Sequence, residues 1–393
     1  MSNGFSYVYL GQNGESDRPT NNLAFARLEH AGDGVLVASS DRMWYSYNNS
    51  NKGSNWRVRL ALGGFHDHAI GGTGAADAIH GANPTNILEK TAPIVPWIVT
   101  PVAAHSTLYF PGASPDGELV MAGYPTAVVL DEVTDPTMNA CVDGKTIALS
   151  ADRTVNSLRL VNNRTAGKNL GEGRTLTITS GGLIMGNGNW NNTAYIGDES
   201  GYSAGTAGTL VFPNKAYVFA PVVNASKNYH PEIWAAMVSP NGAVFSYPGY
   251  LDLGGDQTGI DDHIAVNGTY LKLGSETTGC EIDVPVHLHG AYSTLAIAKQ
   301  GSFCKQDLHF WDHGTPGSKF VPAAGTEEVV HKMWVDGVSM PRGYYGSSDA
   351  KASIEALADR AHPAFVDDRH FSGTGWVKVM TDEVVQPTIM ILR

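Results

Sequence analysis

Read for its hydrophobic and polar positions, the chain is a series of short strand-like phrases set between Gly and Asn turns. From Lys145 to Gly290 they recur as TIALS (146–150), VNSLRLVNN (155–163), RTLTITSGGLIM (174–185) and GTLVFPNKAYVF (208–219). IWAAMVSPNGAVFSYPGYLDLGG (233–255), HIAVNGTYLKLGS (263–275) and EIDVPVHLHG (281–290) follow. In TLTITS, Leu176 and Ile178 face one way and the threonines the other; Val244, Ser246, Leu251 and Leu253 alternate around a proline break. A period of two predicts half-buried strands. The phrases return at intervals of roughly 18–30 residues, the size of one solenoid repeat, with no helical periodicity between them. That excludes a doubly wound fold and leaves a β-sandwich or a parallel β-helix. Their self-similarity, and a number too high for one sandwich, favour the helix.

The expected architecture is therefore all-β: a right-handed parallel β-helix (solenoid) over 94–340. A less regular N-terminal β region over 1–93 precedes it, and terminal coils with a C-terminal cap over 341–393 close it. Inward Leu, Ile, Val and Phe would form one column, with Gly and Asn at corners that need left-handed backbone. LAFARLEHAGDGVLVAS (23–39) and WRVRLALGGF (56–65) read as N-terminal strands, and IVPWIVTPV (94–102) as a buried strand starting the column. DPTM could open one short helix, with Asp135 as cap and Pro136 at the first helical position, but the one helix predicted for the fold is in the C-terminal cap. That helix is SDAKASIEALADRAH (348–362), capped by Ser348 or Asp349, with Ile354, Leu357 and Ala361 on one apolar face.

Composition agrees with strands and turns. Charged residues make up 16% of the 393, Gly numbers 45 and Pro 20, and the hydrophobic share of 42% is enough for a core. A net charge of −12 without a Lys/Arg cluster makes nucleic acid a poor partner. No apolar run approaches the roughly 20 residues of a membrane helix, so no transmembrane segment is expected. The segment after Met1 lacks the basic start and apolar stretch of a signal peptide. The expectation is a mature or excised piece with an added Met1, or export signalled elsewhere.

RTLTITSGGLI, GTLVF and YLKLG resemble the repeat of the autotransporter-associated β-strand proteins, the long exported passengers of bacteria. MWVDGVSMPRGYYGSSDA (333–350) followed by DDRHFSGTGWVKVM (367–380) is similar to the terminal coils of such passengers. The likeness spans residues 90–380. It implies a right-handed parallel β-helix, export and an extracellular or cell-surface location, and it carries over no catalytic residues.

Several clusters are candidates for chemistry. His287 and His289 alternate on one strand face, and His309, Asp312 and His313 follow one coil later. Stacking would offer imidazole and carboxylate ligands to a divalent metal, or merely a ladder of outward histidines. The ladder is the expectation, with no metal, cofactor or catalytic residue assigned. Asp252, Asp256, Asp261 and Asp262 could supply paired carboxylates for polysaccharide cleavage or hold calcium, but Asp-Gly text is also turn chemistry. Trp190, and Trp44, Tyr45, Tyr47 and Trp56, are candidate contact aromatics. Cys280 and Cys304 either pair or stay as buried thiols, with Cys141 free either way; glycosylation sequons start at Asn48, Asn163, Asn191, Asn224 and Asn267. The expected function is non-enzymatic: an exported structural or adhesive surface protein that associates with copies of itself into a fibre, layer or coat. The alternative is a polysaccharide-active or glycan-binding β-helix protein.

Overall fold

In a computed structural model the described residues are 33–37, 93–102, 107–113, 119–125, 127–186, 193–221, 230–246, 249–290, 293–303, 306–312 and 317–381, with backbone alone for 36–37, 100–102, 107, 111–113 and 119–121 and for the strands Asn21–Phe25, Val58–Leu62 and Asp67–Ile70. They form a parallel β-solenoid. Its spine is a ten-stranded sheet running from Asn139–Asp143 through Ser157–Asn162, Gly182–Met185, Ala216–Phe219, Ala243–Ser246, Ile264–Asn267, Val286–His289 and Leu308–Trp311 to Met333–Val335. All these pairings are parallel; Val338–Ser339 closes the edge antiparallel. Two further faces complete each coil. One is a six-stranded sheet including Glu232–Ile233, Tyr250–Leu253, Tyr270–Leu273 and Thr294–Ile297. The other holds Arg153–Val155, Thr175–Ile178, Thr209–Val211 and Ala236–Val238, with the short pair Gly255–Asp256 and Cys280–Glu281 further along the chain.

Register explains the column. Phe245, Val266, Leu288, Phe310 and Val335 succeed one another at one position, at steps of about 22 residues, and stack on one another along the axis. With Leu251, Leu271 and Leu295 from the second face they pack into one continuous core. Leu176 and Ile178 point into it while their neighbours Thr175 and Thr177 stay half-buried, as the alternation predicts.

The spine strands are buried on both sides. Their outward residues Ile184, Tyr217, Phe219, Val244 and Ala265 meet Val35, Val99, Leu108 and Phe110 from upstream. A strand with two covered faces reads as an unbroken apolar run rather than an alternation, so Val244 turns to this outer layer while Leu251 and Leu253 enter the core. Ile98–Val102 belongs to the outer layer. It pairs parallel with Leu36–Val37 and antiparallel with Thr107–Tyr109, and the first spine strand comes later, at Asn139.

Some local expectations are corrected. TIALS forms no ladder strand, although Ile147 and Leu149 point inward; their N–H groups donate to Gly167 and Leu170 carbonyls. DPTM makes a turn, because Asp135 Oδ1 accepts from both the N–H and the hydroxyl of Thr137 instead of opening a helix. A 3₁₀ turn sits earlier, at Leu130–Glu132. The C-terminal helix is shorter than predicted. Ser347 caps a 3₁₀ turn at Ser348–Ala350, and the α-helix spans Lys351–Leu357 with Ile354 buried but Leu357 42% exposed. Asp359 then takes the N–H groups of Ala361 and His362 in a turn ahead of Pro363, which leaves Ala361 on the surface. A second short helix, Glu199–Ser203, is capped by Asp198.

The Lys351–Leu357 helix belongs to a cap. Glu327–Val330 pairs parallel with Trp376–Val379, which runs antiparallel to Gly343–Gly346, and that strand in turn pairs with Ala364–Val366. Among the described residues no helix is long and apolar enough to cross a membrane.

Candidate functional site

The spine's outward rows carry the histidines. Register places Ala265, His287, His309 and Trp334 in one row and Asn267, His289 and Trp311 in the next. The His287 ring lies 4.5 Å from both the His263 and the His309 ring, and His309 is parallel to Trp334 at 5.8 Å. Of the histidines expected to form a ladder, His287 and His309 meet in this row together with His263, which sits just before its strand, while His289 falls in the next. Burial, with the neighbouring His287, pushes the His309 imidazolium down to about 4, so His309 is neutral at physiological pH.

Where the apolar outer layer ends, Asp33 enters from the N-terminal region and is buried against this row. Its Oδ1 accepts from Lys215 Nζ at 2.9 Å. Its Oδ2 meets His263 Nε2 at 2.7 Å, His289 Nε2 at 3.6 Å and His287 Nδ1 at 3.9 Å. Asn267 Nδ2 donates to the Asp33 carbonyl at 2.6 Å. Burial alone would raise the carboxyl, yet the hydrogen bond with His263 and the nearby His287 and His289 rings hold it far below the usual range. Burial likewise opposes a charged His263, and the bond to Asp33 outweighs it and raises that imidazole. The other His263 nitrogen, Nδ1, bonds Asp262 Oδ2 at 2.9 Å. Asp262 has φ +62°, a left-handed conformation uncommon outside Gly.

Asp312, expected beside these histidines, goes elsewhere. Alternation turns Leu308 and Phe310 inward and His309 and Trp311 outward, and two residues past Phe310 the Asp312 side chain is buried under the cap. There it accepts from Ser318 at 2.8 Å and Arg369 at 2.7 Å and meets His370 Nε2 at 3.0 Å, while His370 Nδ1 bonds Asp367 at 2.7 Å. His313, Cys304, Trp190, Trp44, Tyr45, Tyr47 and Trp56 lie outside the described residues, as do Asn48, Asn191 and Asn224. Cys141 is a buried free thiol and Cys280 is buried. Asn163 and Asn267 are buried as well, so neither can accept a glycan in the folded chain.

The four aspartates of YLDLGGDQTGIDDH separate onto different faces of a coil. Asp252 is on the six-stranded sheet, Asp256 on the short two-stranded pair, Asp261 in the turn that follows, and Asp262 beside the spine. Asp256 is occupied in a turn, accepting from the N–H and hydroxyl of Thr258.

Asp252 instead joins a second patch. Along the six-stranded sheet, Tyr250 and Tyr270 are register partners with rings 5.0 Å apart, and the His230 ring stacks on Tyr250 at 5.0 Å. Glu232, Asp252 and Lys272 form the parallel row beside them. Lys272 Nζ donates to Asp252 at 2.6 Å and His230 Nδ1 meets the same carboxylate at 3.3 Å. Burial pushes Glu232 up to about 7, against a hydrogen bond from Trp234 and with the help of the Asp252 charge. The sequence hid this patch because its residues are three coils' worth of isolated positions. Only the tyrosines of YLDL and YLKL, at the same place in two phrases, hint at it.

No protein-family model, curated protein or solved structure matches the chain. The class that geometry defines is a parallel β-solenoid whose outer faces carry rows of aromatic and charged side chains.

Proposed function

We propose that this chain is a non-enzymatic structural or adhesive protein of the bacterial surface, similar to autotransporter-associated passengers, that associates with copies of itself into a fibre, layer or coat. The observation behind the reading is repetition. One register position carries the same kind of group from coil to coil, as in Tyr250–Tyr270 and His287–His309. Such rows make flat, periodic faces suited to contact with another periodic surface. The aspartates that would have to converge for hydrolysis stand on different faces of the coil. The test is negative-stain microscopy and light scattering across protein concentration. Ordered polymers or a mass that grows with concentration support the reading, and a monomer that persists at high concentration overturns it.

One observation favours a second reading, a glycan-binding face. Half-buried tyrosine rings beside His230, Asp252 and Lys272 present stacking surfaces and hydrogen-bonding groups together, the combination that holds a sugar. Affinity electrophoresis in gels cast with acidic and neutral polysaccharides tests it. Retardation that disappears in Tyr250→Ala and Tyr270→Ala is the expected outcome; equal retardation of both variants and the parent would exclude this face.

A further inference from the structure

We propose that Asp33, His263 and His287 form a site for one divalent transition-metal ion of the zinc type, which clasps the N-terminal layer onto the solenoid. Asp33 and His263 are 230 residues apart in sequence and come together only in the folded chain. One ligand atom from each of the three residues lies within 4.8 Å of the other two. Two imidazoles and a carboxylate are ordinary donors for such an ion.

Geometry fits an ion between them. Metal–ligand bonds near 2.0–2.1 Å set ligands of a tetrahedral site about 3.3 Å apart. The observed separations from Asp33 Oδ2 are 2.7 Å to His263 Nε2 and 3.9 Å to His287 Nδ1, on either side of that value. Binding would open the first and close the second by about 0.6 Å each. His287, with a fifth of its side chain exposed, has room to turn out of its stack with His263. His289 Nε2, 3.6 Å from the same oxygen, or a water would complete the set.

Asp262 and Lys215 arrange the ligands as in a built site. Asp262 Oδ2 holds His263 Nδ1 at 2.9 Å, the carboxylate–histidine arrangement that fixes the tautomer and aims the other nitrogen at a metal. The residue doing so has left-handed backbone, a conformation retained where its surroundings over-determine it. Lys215 bonds only Oδ1, which leaves Oδ2 to face the rings.

The experiment uses the full chain, stripped with a chelator and titrated with Zn²⁺ by calorimetry and with Co²⁺ by visible absorption. One equivalent of Zn²⁺ and the d–d bands of low-coordinate Co²⁺ are expected. His287→Gln should weaken Zn²⁺ by about 100-fold or more and erase those bands, while Asp262→Asn should weaken it about 10- to 100-fold. His309→Gln, in the ladder but outside the ligand set, should bind as the parent does. Asp33→Asn should match His287→Gln; circular dichroism shows which variants fold, and His287→Gln decides if Asp33→Asn does not. A folded parent that gives neither heat nor Co²⁺ bands, or undiminished binding by folded His287→Gln, overturns the proposal.

Discussion

Glu328 shows how much one residue can set. The residue is 1% exposed in the strand entering the cap, and burial pushes its carboxyl up to about 7 although the Gly301 N–H donates to it. An unfolded glutamate titrates near 4.5, so between these values the folded chain holds a proton that the unfolded chain has released. Its effect therefore favours folding at low pH and is lost as pH rises through about 7. Glu328→Gln should be more stable than the parent at pH 8, by about 1–3 kcal/mol, and close to it near pH 4.5; urea unfolding at the two pH values checks this. His370 acts in the same direction. Asp367 and Asp312 raise it despite burial, so its stabilisation is full below its unfolded value and fades as pH rises through the folded one. Asp312 and Asp367 are held low, and their share is lost in acid, as pH falls through the folded values. His370→Ala would leave Asp312 buried with one partner fewer, and a loss of about 3–5 kcal/mol is expected in chemical denaturation.

At the scale of elements, strands were legible and helix ends were not. TLTI alternates because one of its faces is covered, and its inward and outward residues could be assigned by eye. AVFS and VHLH resist that reading, since an outer layer from another part of the chain buries their second face. The helix after Ser347 stops at Leu357 because Asp359 captures the following N–H groups, a local competition that periodicity does not register. Turns between coils are equally exacting. Gly242 has φ +86°, and a Cβ there would sit 2.6 Å from the His263 carbonyl oxygen of the next coil. Gly242→Ala should lower stability by about 1–3 kcal/mol in thermal melts, whereas Gly268→Ala, with φ +71° but open space around it, should cost less.

At the scale of the whole molecule, a solenoid is nearly one-dimensional: each coil touches its neighbours, and an uncovered end offers a raw strand edge. Here the far end is closed by the sheet that contains Gly343–Gly346 and Trp376–Val379, with Phe371 packed against Phe310 and Phe320 of the column and Tyr345 against Phe371. A chain ending after Ser339 should expose that core and aggregate, seen as lost monomer in size-exclusion chromatography.

The sequence by itself determined the solenoid, because the strand period and the coil repeat are local and written into consecutive residues. It also set His287 and His309 about one repeat apart, and the register places them in one row. It could not show Asp33 beside His263, the outer layer over Val244, or Asp312 under the cap. Those contacts join segments with no common period, and their partners are chosen by which surface each buried group needs covered or charge-balanced. Only the tertiary structure decides that.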